Sequence, residues 1–129
     1  MSAVYPSFVD KVLAGDIGDL ATVTLKAQLL GAYLYDASHS VLADLDHTIA
    51  SPVTVAVDHI ADGAVYLSPA TVGSVAAGAH VIALALYVDD GATRPLAAYQ
   101  DRRADRVLID LTGNGGDIAL SWPDYAFRL

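Results

Sequence analysis

Four histidines and a pair of aspartates are the residues whose types could hold a metal ion or move a proton. Neutral imidazole is a common zinc ligand, and Asp44-Leu45-Asp46 resembles acidic pairs that hold a divalent cation against a phosphate. The histidines lack the His-x-x-x-His spacing, and the Asp segment lacks the ligand spacing of a calcium loop. We therefore predict no metal and interpret the histidines as ordinary surface or hydrogen-bonded side chains: His39, His47, His59 and His80.

Two further segments could carry enzyme chemistry. Ser38-His39-Ser40 places a nucleophile beside a base, but sequence neighbours on a strand point to opposite faces, and no Gly-x-Ser-x-Gly elbow is present. The segment Gly113-Asn114-Gly115-Gly116 lacks the Walker spacing and the dinucleotide fingerprint, and we interpret it as a hairpin turn between two apolar strands. The chain is also free of cysteine, so disulfides and thiolate chemistry are excluded. We predict neither an enzyme nor a cofactor.

Charge is distributed unevenly along the 129 residues, whose formal net charge is −8. Residues 1–93 carry two lysines against ten aspartates, whereas residues 94–129 balance five arginines against five aspartates. An acidic body repels phosphates, so we predict no nucleic-acid binding. The basic cluster Arg102-Arg103, with Arg106 nearby, is either neutralised by interleaved aspartates or forms a patch that binds the carboxylates of an identical neighbour.

The length fits one domain, which we assign to residues 1–129 with an N-terminal arm at 1–5. Pro6, the helical spacing of Phe8 to Leu13 and the following Gly15 predict one short helix. Short alternating or β-branched runs then predict about seven strands, with Val81 to Val88 as the central one. The clearest alternating run is Ala21 to Leu29, and Asp62-Gly63 favours a tight hairpin turn before Ala64 to Leu67. The fold class is mainly β, an antiparallel sandwich or barrel-like domain. The most apolar stretch, 75–88, is too short to span a bilayer, so no membrane association is predicted.

The chain opens with the helix Phe8 to Leu13, the Gly15-Asp16-Ile17 turn and a first strand, Leu25 to Leu29, with Lys26 between apolar residues. A short acidic and apolar segment, Leu42 to Leu45, lies near His39 and His47. The closing pattern is Pro95 to Tyr99, Asn114 to Trp122 and Phe127-Arg128-Leu129. In this order the segments resemble a family of small virion proteins of tailed bacteriophages.

The resemblance implies a decoration or minor capsid protein that binds the outer surface of the assembled shell and stabilises it. Its partner would be the major capsid protein of the same virion. The chain would be made in the host cytoplasm, form a homo-oligomer and end on the capsid surface.

We expect the arm and the basic segment to make the contacts with neighbours. The arm would act by strand addition to an exposed edge or by docking Tyr5. The expected partner-binding residues are Met1, Val4, Tyr5, Arg102, Arg103 and Arg106. Two alternatives stay open: a tail or head-tail connector component, and a carbohydrate-binding surface module that uses Tyr33, Tyr35 or Trp122 as stacking platforms.

Overall fold

The structure is a computed structural model that describes residues 2–122 and 125–129. These residues form mainly β-structure with antiparallel pairing and one short helix, as the sequence predicts. The elements are β1 (Ser2–Val4), α1 (Pro6–Leu13), β2 (Leu25–Leu30), β3 (Thr48–Val55), β4 (Val57–Ala61), β5 (Ala64–Leu67), β6 (Ala70–Val72), β7 (His80–Val81), β8 (Ala83–Val88), β9 (Leu96–Gln100), β10 (Leu111–Thr112), β11 (Ile118–Leu120) and β12 (Phe127–Arg128).

The predicted helix is confirmed as α1. Pro6 occupies its first turn, where a missing N–H costs nothing, and Gly15 follows its end with a φ of 79°. Phe8 is its buried side chain and meets Phe127 edge to face, with 5.8 Å between the ring centroids. The helix therefore joins the two ends of the chain through an aromatic contact. Among the described residues, no helix is long and apolar enough to cross a membrane.

The largest sheet has five strands in the order β1-β9-β8-β2-β3. Strand β8 lies in its middle and is buried along its whole length, which confirms the predicted central strand from Ala83 to Val88. Val81, the first residue of the prediction, instead belongs to β7 and pairs with β10. Strand β2 begins at Leu25 rather than at Ala21, where the alternating pattern starts. The reason is Asp19, whose side chain accepts a hydrogen bond from the Ala21 N–H and whose carbonyl accepts one from the Val23 N–H, which fixes a turn there.

Three smaller sheets complete the pairing: β12-β5-β4, β11-β6 and β10-β7. Strands β4 and β5 form the hairpin predicted from Asp62-Gly63, and both turn residues have positive φ angles, 53° and 76°. The Gly-rich segment 113–116 is not the predicted hairpin, because β10 and β11 pair with different strands, β7 and β6. Gly113 instead lies against residue 76, where a Cβ atom would come within 2.2 Å of the Ala76 carbonyl oxygen.

The two faces of the large sheet carry different cores. One face contributes Leu84 and Leu86 to an apolar core that also contains Val65 of β5 and Phe127 of β12. The opposite face carries a cluster of aromatic and small side chains, comprising Tyr5, Leu30, Tyr33, Ala83, Ala85, Tyr87, Leu96 and Tyr99. The alternation of β8 between these cores follows from the two-residue period of a strand. Closure as a sandwich or as a barrel stays a prediction.

Candidate interaction surface

The predicted basic cluster lies on an exposed hairpin formed by residues 101–109. Its arms are joined by hydrogen bonds from the Arg103 N–H to the Val107 carbonyl (2.8 Å) and from the Ile109 N–H to the Asp101 carbonyl (2.8 Å). Arg106 closes the turn with a φ of 66°. We call this segment the arginine hairpin. Its backbone is thus fixed by its own hydrogen bonds, while the three arginine side chains lie at the surface.

Part of the positive charge is neutralised locally. The Arg103 guanidinium binds the Asp105 carboxylate with two contacts, Nε to Oδ1 at 3.3 Å and Nη2 to Oδ2 at 2.5 Å. The hydrogen bond from Arg103 is the main reason that the pKa of Asp105 is lowered, and the Val107 N–H contributes. Arg102 lies 3.7 Å from the Asp101 carboxylate and donates to the Arg106 carbonyl. With the adjacent exposed Asp110, residues 101–110 balance three arginines against three aspartates.

The hairpin also exposes apolar side chains that the sequence does not reveal. Val107 and Leu108 are each 53% exposed, whereas the next residue, Ile109, is buried. The run Val107-Leu108-Ile109 has the composition of a buried strand. Because all three residues are apolar, the sequence alone does not show that the first two are exposed and the third is buried. A rigid loop with apolar and arginine side chains is suited to binding a protein surface.

A cavity of about 360 Å³ adjoins the arginine hairpin. Its lining includes the polar residues Arg102, Arg103 and Asp105 of the hairpin. Its remaining walls are mainly aliphatic and come from five strands and the hairpin base, including Leu29, Val81, Leu84, Ile109, Leu111, Ile118, Ala119 and Leu120. We call it the hairpin pocket. Sequence reasoning missed it because its walls come from segments far apart in the chain.

The N-terminal arm is part of the fold. Residues Ser2–Val4 form the edge strand β1, which pairs with β9 of the same chain, and the Tyr5 N–H bonds to the Ala97 carbonyl at 3.0 Å. Tyr5 is fully buried, so its ring could dock on another molecule only by leaving the core of its own chain. The expected docking of Tyr5 on a neighbour is therefore wrong, whereas strand addition through β1, which includes Val4, stays a prediction. Met1 lies outside the described residues.

Tyr5 belongs to a hydrogen-bonded aromatic cluster. Its hydroxyl lies 3.0 Å from the Tyr33 hydroxyl, which in turn lies 2.7 Å from Nδ1 of His39. Burial raises the pKa of Tyr5 far above its ordinary value, and the hydrogen bond with Tyr33 adds to the effect. The Tyr35 ring packs at 5.2 Å from Tyr5 and 5.4 Å from Tyr99. The abundance of tyrosine is visible in the sequence, but this convergence is not, because it joins the N-terminus to β9.

The residues suggested for carbohydrate stacking are unsuited to that role. Tyr33 is 2% exposed, and Trp122 is 8% exposed with its indole N–H donating to the Ser68 carbonyl at 3.1 Å. Tyr35 is half-buried between two other rings. A sugar needs an open aromatic face, which Tyr33 and Trp122 do not offer.

The four histidines are distributed among separate local partners. His47 lies 2.9 Å from Asp46, His59 lies against Asp58 and stacks on Tyr66, and His80 contacts Asp110. Within 2–122 and 125–129, no group of three or more histidine and aspartate side chains is placed to hold a metal ion. Ser38 donates to Asp36 at 2.7 Å instead of facing its neighbour His39.

Comparisons with known protein families, curated proteins and solved structures give no match for this chain. The arginine hairpin and the hairpin pocket are therefore interpreted from their own chemistry. Together they offer exposed apolar area, guanidinium groups for carboxylates, and an aliphatic recess. These are the components of a protein-protein contact.

Proposed function

We propose that this protein is a structural component of a tailed-bacteriophage virion that binds the outer surface of the assembled shell and stabilises it. The observation that carries the proposal is the arginine hairpin, where Val107 and Leu108 are each 53% exposed beside Arg102 and Arg103. The resemblance of the chain to small virion proteins supplies the partner, the major capsid protein.

The hairpin is suited to this role because little order has to be created on binding. Backbone hydrogen bonds of the hairpin already hold Val107 and Leu108 in place. Burying their side chains against the shell therefore costs little conformational entropy. Arg102 is well placed to exchange its 3.7 Å contact with Asp101 for a shorter one with a shell carboxylate. A ligand that binds the assembled shell but not its free subunits stabilises the shell by mass action.

The test is co-sedimentation of the purified protein with expanded shells of the phage that encodes it. Replacing Val107 and Leu108 together by serine should weaken binding at least about tenfold, since two apolar side chains lose their burial. The matched control is Leu13→Ser, which removes a leucine that is 81% exposed at the end of α1 and should leave binding unchanged. Both variants should keep the thermal midpoint of the wild type.

Three results would contradict the proposal. Wild-type protein that does not sediment with shells would remove the capsid role itself. Full binding by the double variant would remove the arginine hairpin as the contact. Particle reconstructions in which the protein lies along the tail or at the connector would favour that alternative over the shell.

A further inference from the structure

Asn114 is the only asparagine of the chain, and Gly115 follows it directly. In an Asn-Gly pair the main-chain nitrogen of the glycine can attack the side-chain amide carbon, because glycine has no Cβ atom that would hinder the approach. The Asn114 side chain is exposed, so water can reach the product of that attack. The pair therefore has the chemistry of a site that modifies itself.

The reaction is a deamidation that consumes only water. The Gly115 nitrogen forms a bond to Cγ of Asn114, the bond from Cγ to Nδ2 breaks, and ammonia leaves with the proton that the Gly115 nitrogen gives up. The succinimide ring then adds water at either of its carbonyl groups. The product is aspartate, or isoaspartate, in which the main chain runs through the former side-chain carbonyl carbon.

Two hydrogen bonds in the loop affect this reaction in opposite directions. The Gly116 N–H donates to Oδ1 of Asn114 at 2.9 Å, a contact that stabilises the negative charge developing on Oδ1 during the attack. The Gly115 N–H donates to the Val75 carbonyl at 2.7 Å, so its proton is shielded from the base that must remove it. Val75 is itself fully buried, which holds the accepting carbonyl in place. The amide carbon is thus activated while the attacking nitrogen is blocked.

The blocking contact belongs to a set of main-chain hydrogen bonds between residues 113–116 and residues 75–79. The four bonds measure 2.7–2.9 Å and run from Gly115 N–H to Val75 C=O, from Val75 N–H to Gly116 C=O, from Gly78 N–H to Gly113 C=O and from Gly113 N–H to Ala79 C=O. Proteins open such contacts locally, at a lower cost than global unfolding. Each opening exposes the Gly115 N–H, so the modification rate reports how often the two segments separate.

We propose that Asn114 is a deamidation site whose reaction is prevented by the hydrogen bond from Gly115 to Val75 and starts when segments 75–79 and 113–116 separate. The product adds a carboxylate to a loop that already contains Asp117, and isoaspartate also lengthens the main chain, so the segments no longer close as before. Strands β10 and β11 flank this loop and supply Leu111 and Ile118 to the hairpin pocket. Modification would therefore loosen that wall of the pocket. The proposal does not rest on the capsid role.

The test follows the intact mass of the purified full chain at mildly alkaline pH, in buffer and in denaturing guanidinium chloride. Asn114→Gln identifies the signal, because its longer side chain forms the corresponding ring far less readily. Native wild type should deamidate at least about tenfold more slowly than the unfolded chain, since only the open fraction reacts. The Gly115 amide should also exchange slowly with deuterium, and both rates should rise together as denaturant is increased below the unfolding transition.

A pair of glycine variants makes the test specific to this loop. The Cβ atom of Gly113→Ala would lie 2.2 Å from the Ala76 carbonyl oxygen and separate the segments, so the folded variant should deamidate at least about tenfold faster than the wild type. Gly73→Ala, with its nearest contact at 3.5 Å, is the matched control and should react like the wild type.

Three results would overturn the proposal. The first is native wild type that deamidates as fast as the unfolded chain. The second is a deamidation rate that does not follow exchange of the Gly115 amide in the denaturant series, a comparison that decides the matter even where Gly113→Ala does not fold. The third is a folded Gly113→Ala variant that deamidates no faster than the wild type.

Discussion

Tyr5 provides a quantitative test of whether the N-terminal segment belongs to the fold or to a partner. Its side chain is fully buried, so Tyr5→Ala removes a whole ring from the aromatic cluster and should reduce the free energy of unfolding by about 3–5 kcal/mol. Tyr5→Phe keeps the ring and loses only the hydrogen bond with the Tyr33 hydroxyl. Because Tyr33 still has His39 as a partner, this change should cost about 1 kcal/mol.

Urea unfolding followed by circular dichroism at neutral pH measures both effects. The expected order of midpoints is wild type, then Tyr5→Phe, then Tyr5→Ala, with the exposed-site control Leu13→Ala at the wild-type value. Deletion of residues 1–5 should destabilise the fold further, because β1 is lost from the large sheet as well. If the free energy of unfolding of Tyr5→Ala lies within about 1 kcal/mol of the wild-type value, the burial argument is refuted and the N-terminal segment is free to bind a partner.

Three further outcomes follow from the structure. Burial raises the pKa of five tyrosine side chains: Tyr5, Tyr33, Tyr35, Tyr87 and Tyr99. Because the folded protein holds these protons more tightly than the unfolded chain, the free energy of unfolding should be unaffected by these groups below the ordinary tyrosine pKa of 10.0 and should fall above it. In an alkaline titration, tyrosinate absorbance should rise as ellipticity is lost. Gly113→Ala should lower the free energy of unfolding by about 1–3 kcal/mol, measured in thermal melts, because its Cβ would lie 2.2 Å from a backbone oxygen. The control Gly73→Ala, whose Cβ would have its nearest contact at 3.5 Å, should unfold like the wild type. Trp122 should emit at short wavelength and resist iodide quenching until the protein unfolds; a quenchable native emission would contradict its burial.

The parts of the fold that the sequence predicts are those encoded by neighbouring residues. Helix α1 follows from Pro6, Gly15 and the apolar spacing between them, and the β4–β5 hairpin follows from Asp62-Gly63. Strand β8 is recognisable because a fully buried strand needs a continuous apolar run. In each case the physical cause lies within one element and its turn.

The candidate site depends on contacts that local patterns do not contain. Arg102 and Arg103 are recognisable as a basic cluster, but the aliphatic pocket beside them is built from β2, β7, β8, β10 and β11. Residues 113–116 have the composition of a hairpin turn, yet the strands around them pair elsewhere in the chain. Tyr5 looks like part of a loose arm because its partners, Tyr33 and β9, are distant in sequence. Strand order and pairing partners decide these features, and a single sequence does not state them.

The pairing of β1 with β9 also constrains the order in which the protein is completed during translation. Ser2 pairs with Gln100, so all of the chain between these two residues must be synthesised before β1 has its partner. Contacts of such long sequence separation form late and slow the folding of small domains. Until then Tyr5 and the cluster that encloses it lack their final packing. Strand β1 is thus synthesised well before β9 allows it to reach its native position.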